Sequence, residues 1–264
     1  MKSILAIFRK EMQLYFVSPI AYAVVGVFLI ITGFFFQVLL DGVIRAAQAQ
    51  AMQAMRAGGG MMEMDMPGLV MRQFFGLMGT ILLFLIPMMT MGVYAEERKR
   101  GTMELLMTSP ITDLQIVLGK FMASLALLGM MLLPTTLELV LLYRSSDPAP
   151  PWGLMLAGYI GLFLLGGALL AIGTFVSSLT ENQIIAAAGT FGLTLLLWLI
   201  DAMVRSGTNS VVSEVLQYLS VLRHFEDFTR GVVNTSALIF YASLIALSLL
   251  LTLRSLDSMR WRRA

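Results

Sequence analysis

Few side chains in this chain could support catalysis. Glu96 and Glu97 stand together, but activating a water molecule needs several histidines or carboxylates that converge on one point. His224 is the single histidine among 264 residues, so an HExxH zinc site is impossible. No cysteine is present to act as a nucleophile or a thiolate ligand. We therefore predict that the chain is not an enzyme.

Binding of ATP by the chain itself is not expected either. The phosphate-binding pattern G-x-x-x-x-G-K-[ST] is absent, because Gly119-Lys120 lacks the upstream glycine and is followed by Phe121. We predict no cofactor for this chain. If ATP and Mg²⁺ drive the protein, another polypeptide binds them.

A methionine cluster is the feature that could suggest a metal. Thioether sulfurs favour Cu(I), and here they alternate with two carboxylates. The chain contains 21 methionines, however, and flexible surfaces use methionine without any metal. We favour the interpretation without a metal and keep as Cu(I) candidates Met61, Met62, Met64 and Met66.

Two carboxylates, Glu138 and Asp201, lie inside apolar stretches. Ionisable residues within membrane segments are functional hypotheses by default. Both lie within about one or two turns of a predicted span end, where a charge costs less. We favour pairing with Arg144 or Arg205, and contact with a gate or a substrate is the alternative.

The composition indicates an integral membrane protein. Hydrophobic residues make up 58% of the chain and charged residues 13%, and the mean hydropathy is +0.83. A soluble domain carries about a quarter charged residues, so much of this surface must face lipid. The net charge of +2 fits basic loops beside a membrane better than a nucleic-acid partner.

The apolar runs predict an all-α protein with six transmembrane helices. Helical spacing predicts an amphipathic surface helix over residues 1–18. A helical extension followed by a flexible segment makes up an external loop over 41–68, and external amphipathic helices are expected over 205–236. Capping-box spacing at Thr112 and Thr180 marks the starts of spans three and five. The six spans are predicted at 19–40, 69–94, 113–142, 153–178, 183–204 and 237–253.

The segment from Glu96 to Lys120 is the best candidate for a functional surface. Gly101 can end the second helix and Thr102 can cap a short new one. Leucines and methionines give that helix an apolar surface, and a Ser-Pro pair ends it. A short amphipathic helix held between two spans and flanked by charges suits force transfer from a soluble protein partner. Most basic residues of the connecting segments share its side of the membrane, which predicts that both termini are cytoplasmic.

The string Glu-Glu-Arg-x-x-Gly-Thr-x-Glu-Leu-Leu-x-x-x-Pro begins at Glu96 and is followed by Gly119-Lys120. It resembles the signature of type-2 ABC (ABC-2) exporter permeases, and it is most similar to the gliding-motility and copper-enzyme-maturation branch. The likeness includes the amphipathic start, the six-span layout and the terminal run that begins at His224, and so covers nearly the whole chain.

The resemblance implies that residues 101–110 form a coupling helix that docks on a separate ATPase subunit. It also implies a dimer of identical or paralogous permeases with two ATPase subunits in a bacterial inner membrane, with spans two and five along the interface and the pathway. The residues that it assigns to coupling are Glu96, Glu97, Arg98, Gly101, Thr102, Glu104, Leu105, Leu106, Ser109, Pro110, Gly119 and Lys120.

Two functions remain open. The first is the permease subunit of an ATP-driven exporter. The second is a mechanotransmission or assembly subunit, which would move the segments 41–68 and 205–236 against an extracytoplasmic partner without moving a solute. A passive membrane anchor is a third and weaker interpretation. No ligand motif identifies a substrate.

Overall fold

The protein is built from helices. The computed structural model describes residues 2–57, 65–108, 110–205, 218 and 220–261, and no strand occurs within these ranges. The helices of this part of the chain are α1 (Lys2–Val17), α2 (Pro19–Ala57), α3 (Met66–Thr90), α4 (Ala95–Lys99), α5 (Thr102–Thr108), α6 (Asp113–Ser145), α7 (Trp152–Leu179), α8 (Gln183–Arg205), α9 (Val221–Thr229) and α10 (Thr235–Trp261).

In the part of the chain that the structure describes, six helical segments are long and apolar enough to cross a membrane, and they coincide with the six predicted apolar runs. A helix needs about 20 apolar residues to cross the hydrocarbon core. The structure therefore confirms the predicted all-α architecture with six candidate spans. These are Pro19–Gln53, Met66–Lys99, Asp113–Ser145, Trp152–Leu179, Gln183–Ile200 and Thr235–Met259.

The largest differences from the predicted span limits occur at three helix ends. α2 continues as a helix to Ala57, so the first part of the segment 41–68 is the helical extension, and it is long because Ala, Gln and Met favour helix. α3 ends at Thr90, and a turn separates it from the charged residues that follow. α10 runs on to Trp261, so the basic residues after 253 are helical.

α7 lies at the centre of the bundle, in contact with α3, α6, α8, α9 and α10. Its glycines allow neighbours to approach closely, because a side chain at Gly158 would overlap the ring of Phe75 and one at Gly173 would overlap Thr90. By contrast, α2, α8 and α10 lie at the periphery, where only 22%, 17% and 22% of their apolar segments are buried.

The two ends of the bundle differ in composition. We call one the charged end; it consists of α1, α4, α5, the first turns of α6, the α7–α8 connection and the last turns of α10. A second apolar cluster holds these elements together, and it includes Ile7, Met103, Ile116 and Leu256. The other end, called the opposite end, contains α9 and the α6–α7 connection.

At the opposite end, α9 packs against α3, α7, α8 and α10. Phe225 contacts Gly79 and Gly161, while Tyr241 Oη donates a hydrogen bond to the carbonyl of Val221 at 2.8 Å. The described part of the predicted external region 205–236 therefore forms a helix that packs into the bundle. Residues 206–217 and 219 of that region lie outside the described residues.

Candidate functional site

The helix break at residues 91–94 is held by a side chain from another helix. Ser177 Oγ, at the end of α7, accepts hydrogen bonds from the backbone N–H groups of Tyr94 at 3.1 Å and Ala95 at 3.2 Å. The same hydroxyl donates to the carbonyl oxygen of Met91 at 3.1 Å. Buried backbone groups need partners, so this serine makes the interruption a fixed feature of the fold.

Lys120 of α6 joins three elements at this break. Only 2% of its side chain is exposed, and Nζ lies 2.9 Å from Glu11 Oε1 of α1 and 3.0 Å from Glu97 Oε2 of α4. Nζ also donates to the carbonyl oxygen of Val93 at 2.8 Å. Nζ thus donates two hydrogen bonds, to Glu11 and Val93, and pairs with Glu97 through charge without a hydrogen bond to its Oε2.

A second lysine completes the group. Lys10 Nζ donates to Glu97 Oε1 at 2.7 Å, so two ammonium groups face two carboxylates and the formal charges cancel. We call Lys10, Glu11, Glu97 and Lys120 the Lys120 cluster. Buried charges are tolerated when they are paired and hydrogen-bonded, and this cluster ties the surface helix α1 to α4 and α6.

Gly119 explains how α1 comes near enough for these contacts. A Cβ atom at this position would lie 2.8 Å from two carbon atoms of Ile7 and 3.3 Å from the carbonyl oxygen of Ile4. One turn further along, the hydroxyl groups of Tyr15 and Ser124 lie 3.1 Å apart. Burial raises the pKa of Tyr15 to about 12, against the opposing effect of the hydrogen bond with Ser124. The pair Gly119-Lys120 therefore serves to dock α1.

Arg98 fixes the other side of α4. Its Nη1 donates to the carbonyl oxygen of Ser178 at 2.7 Å, and its Nη2 lies 3.2 Å from Glu181 Oε1. Glu96 pairs with Arg100 on the exposed side of the helix at 2.5 Å. The charged residues 96–100 therefore face different surroundings. Glu97 faces α1 and α6, and Arg98 faces the α7–α8 connection. Glu96 and Arg100 face outward.

α5 follows α4 after a tight reversal. Gly101 has a φ of +70°, a conformation that favours glycine. Thr102 is the first residue of α5, and its hydroxyl donates to the carbonyl oxygen of Glu97 at 3.3 Å, so the prediction that Thr102 caps α5 is wrong. Within α5, Met103 is buried in the second apolar cluster, and α5 is thereby held against the bundle.

The two adjacent leucines of α5 face different surroundings. Leu106 packs against the second apolar cluster, whereas 73% of Leu105 is exposed. A cleft of about 310 Å³ lies beside α5, between the ends of α7 and α10. Glu104 and Pro110 are exposed, and Ser109 lies outside the described residues. The cleft is lined in part by Arg98, Met103, Glu104, Glu181, Ser255 and Met259.

The remaining predicted site residues lie away from this region. Glu138 is on α6 towards the opposite end, and no ion pair with Arg144 is present among the described residues. Asp201 is on α8, but its side chain is outside the description. Within the same ranges, no group of three or more His, Cys, Asp or Glu side chains could hold a metal ion.

For the copper candidates, Met66 is the first residue of α3 and packs against the main core. The other three, Met61, Met62 and Met64, lie outside the described residues. The favoured interpretation without a metal and the Cu(I) alternative therefore both stay predictions for this segment.

Sequence reasoning missed Glu11, Ser177 and Asn182. Glu11 lies four residues from both Ile7 and Tyr15, so helical spacing places a carboxylate on the apolar face of α1, and that was a usable signal. Ser177 carries no such signal.

Asn182 marks the start of α8. Its Oδ1 accepts a hydrogen bond from the backbone N–H of Ile184 at 2.9 Å, so Asn182 caps α8 instead of the predicted Thr180. The predicted capping box at Thr112 is confirmed: the backbone N–H of Thr112 donates a hydrogen bond to Gln115 Oε1 at 3.3 Å.

Comparison with known proteins gives a consistent result. A stretch of 144 residues, 52% of this chain, is 28% identical to the "Probable multidrug ABC transporter permease YbhR" of Escherichia coli strain K12, and the YbhR of Escherichia coli O157:H7 matches equally. The stretch spans only 37% of the length of these relatives. Residues 5–256 match the model of the ABC-2 family transporter proteins. Because this match covers nearly the whole chain, the chain belongs to the ABC-2 family of transporter permeases.

Proposed function

We propose that this chain is the permease subunit of an ATP-driven exporter, in which a separate ATPase subunit binds ATP and Mg²⁺ and docks on α5. The observation that carries the proposal is the position of α5. It presents Leu105 to the surroundings, while its other face and the neighbouring α4 are held firmly by the bundle. Such a helix can receive a push from a partner without separating from the spans.

The contacts of α4 could transmit a displacement of α5 to the spans. Glu97 connects α4 to α1 and α6, and Arg98 connects it to the α7–α8 connection. Because both sides of α4 are fixed, displacement of α5 would move these elements together. The turn at 91–94 gives a place where the long α3 can bend relative to α4. We infer that closure of the ATPase subunits tilts the spans between inward-open and outward-open states.

The orientation is part of the proposal. The charged end carries Lys10, Arg98, Lys99 and Arg100, and clusters of basic residues favour the cytoplasmic side. We propose that this end, with both termini, faces the cytoplasm of a bacterium and that the spans cross its inner membrane. Two copies of the permease, or one copy with a paralogue, would work with two ATPase subunits.

For the proposed dimer, α8 is the better supported of the two helices that the resemblance suggests. Only 17% of its apolar segment is buried within the protomer, against 67% for that of α3. The exposed side of α8 includes Ile184, Leu196 and Leu199.

A second candidate function follows from the length of α2. Its 39 residues would extend about 58 Å, roughly twice the thickness of the hydrocarbon core. A helix that projects this far suits a subunit that acts mechanically on an extracytoplasmic partner, as the likeness to the gliding-motility and copper-enzyme-maturation branch also suggests. In contrast, the name of YbhR describes a multidrug transporter permease, which supports solute export.

The test of the docking surface is purification of the tagged protein from its native host in a gentle detergent. We expect one ATPase subunit for each permease and its loss in Leu105→Asp, because a charge would replace the exposed apolar contact. Met55→Asp is the matched control: Met55 is 75% exposed, close to the 73% of Leu105, but lies near the far end of α2.

Both variants should retain the elution volume and thermal stability of the wild type, since surface substitutions usually change stability by less than about 0.5 kcal/mol. A permease that purifies alone, or Leu105→Asp that keeps its ATPase subunit, would contradict the proposal. In the reconstituted complex, stimulation of ATPase activity by a small solute favours export. Stimulation only by an extracytoplasmic protein favours the mechanical function.

A further inference from the structure

The outer face of α1 is positively charged because its acidic residue points inward. Glu11 is the single carboxylate of Lys2–Val17, and it is buried against the bundle, 2.9 Å from Lys120 Nζ. The four formal charges of the Lys120 cluster cancel one another. Arg9 is exposed and forms no ion pair with any side chain that the structure describes. An uncompensated positive charge therefore remains on the outer face of α1.

α1 runs into the bundle alongside α6. Glu11 meets Lys120 of α6, and one turn further on the hydroxyl of Tyr15 lies 3.1 Å from that of Ser124. Both helices therefore lead inward from the charged end, and α1 is separated from α2 by a single residue, just before Pro19. Because α2 and α6 are candidate spans, the outer face of α1 leads from the edge of the membrane towards its apolar interior.

The exposed side chains change from polar to apolar in this direction. Arg9 and Gln13 are exposed and lie one turn apart. Further along, Phe16 is 54% exposed and Val17 is 81% exposed, and Ile20 at the start of α2 is also exposed. Helical spacing places Arg9, Gln13 and Phe16 on one face of α1. A phospholipid has the same order, since its phosphate lies at the membrane surface and its acyl chains lie deeper.

The chemistry of these side chains selects an anionic lipid. A guanidinium can donate two parallel hydrogen bonds to a phosphate, and an amide can donate another. Exposed apolar side chains gain free energy from contact with acyl chains. A choline headgroup carries a positive charge that the guanidinium repels, whereas phosphatidylglycerol has a net negative charge. We propose that the outer face of α1 binds an anionic phospholipid, with the phosphate at Arg9 and Gln13 and an acyl chain beside Phe16 and Val17.

The absence of cysteine from the chain allows a probe to be placed at this face. In the experiment, Val17→Cys carries a fluorescent bimane group, and the full-length permease is reconstituted into phosphatidylcholine nanodiscs. A fixed fraction of the lipid carries a nitroxide on its acyl chain, which quenches bimane on contact. We expect labelled phosphatidylglycerol to bind about five-fold more tightly than labelled phosphatidylcholine, because each basic residue near a membrane surface contributes about this factor.

Arg9→Gln tests the role of the charge in the same labelled protein. It should abolish the preference for phosphatidylglycerol but leave quenching by phosphatidylcholine unchanged, because the apolar contacts remain. Arg45→Gln is the matched control, since it also removes an exposed arginine, but one towards the far end of α2, and it should keep the preference. The preference should also fall at 1 M salt, where charges are screened beyond about 3 Å.

Three outcomes would contradict the proposal. The first is equal quenching by the two lipids, or a preference that Arg9→Gln retains. The second is quenching by neither lipid, which would show that protein, such as a second copy of the chain, covers this face. The third is loss of the preference in millimolar inorganic phosphate, which would assign Arg9 to a soluble anion instead of a lipid. None of these measurements involves an ATPase subunit, so the result is independent of the proposed function.

Discussion

The charged end and the opposite end of this permease differ in whether their buried ionisable side chains are paired. At the charged end, Lys120 is buried and meets Glu11, Glu97 and a backbone carbonyl within 3.0 Å. Towards the opposite end, Glu138 has an inaccessible oxygen and no hydrogen-bonding partner there among the described residues. The contrast teaches that the buried charges that hold helices together are paired, whereas Glu138 joins no such pair among the described residues.

The pairing at the charged end need not raise stability compared with an apolar core. The free energy needed to desolvate two charges is nearly as large as the attraction between them. Removing one partner of a buried pair is nevertheless strongly destabilising, because the other charge stays buried. The Lys120 cluster is therefore best understood as a device that fixes one relative placement of α1, α4 and α6. That placement is what the proposed transfer of force from an ATPase subunit requires.

The largest effect should come from Lys120→Met, which breaks the pairing at the charged end. It removes the hydrogen-bonded partner of the buried Glu11 and leaves only the longer contact with Lys10 at 3.6 Å. We expect a loss of about 3–5 kcal/mol in the free energy of unfolding. Thermal unfolding in detergent measures the change. Lys99→Met, at an exposed position of α4, is the matched control and should differ from wild type by less than about 0.5 kcal/mol. Equal stability of the two variants would remove the contrast between the ends.

An intermediate effect is expected for Ser177→Ala, which tests whether the charged end also depends on neutral hydrogen bonds. The change leaves three buried backbone groups without their partner, at a cost of about 1–3 kcal/mol. Amide hydrogen exchange should become faster at Tyr94 and Ala95, whose N–H groups bond to this hydroxyl. Ser243→Ala removes an exposed hydroxyl and should change neither quantity. Unchanged exchange at residues 94 and 95 would show that the break holds without Ser177.

The smallest effect, and one of opposite sign, is expected at Glu138. Glu138→Gln removes an unpaired charge, so the stability of the permease should stay the same or rise by up to about 1 kcal/mol. The unfolding assay used for Lys120→Met gives a direct comparison. A loss as large as that of Lys120→Met would show that Glu138 is paired in the assembled protein, and the two ends would then be alike.

The spans and the short helix after Gly101 could be predicted because their signals are local. Long apolar runs have one stable solution in lipid, and the glycine at 101 marks a reversal that the structure confirms with its positive φ. The end of α2 was harder, since the segment before Ala57 is helical by propensity but neither apolar nor amphipathic.

The contacts that complete the site could not be predicted because they join distant parts of the chain. Glu11 and Lys120 are 109 residues apart, and Ser177 is 83 residues from Tyr94. No periodicity in one helix reveals which side chain of another helix will lie beside it. Likewise, Leu105 is exposed and Leu106 packs against the second apolar cluster only because of where α5 lies on the bundle.

The direct succession of α1 and α2 has a mechanical consequence. Only Ser18 separates the helix that the Lys120 cluster holds from the 39-residue helix that follows. In the proposed mechanical function, α2 would act as a lever arm with its fulcrum at the charged end. A rigid tilt of about 5° at Pro19 would carry Ala57, roughly 58 Å away, through about 5 Å. A small rotation at the charged end would thereby be amplified into a displacement about as large as a helical turn at the far end of α2.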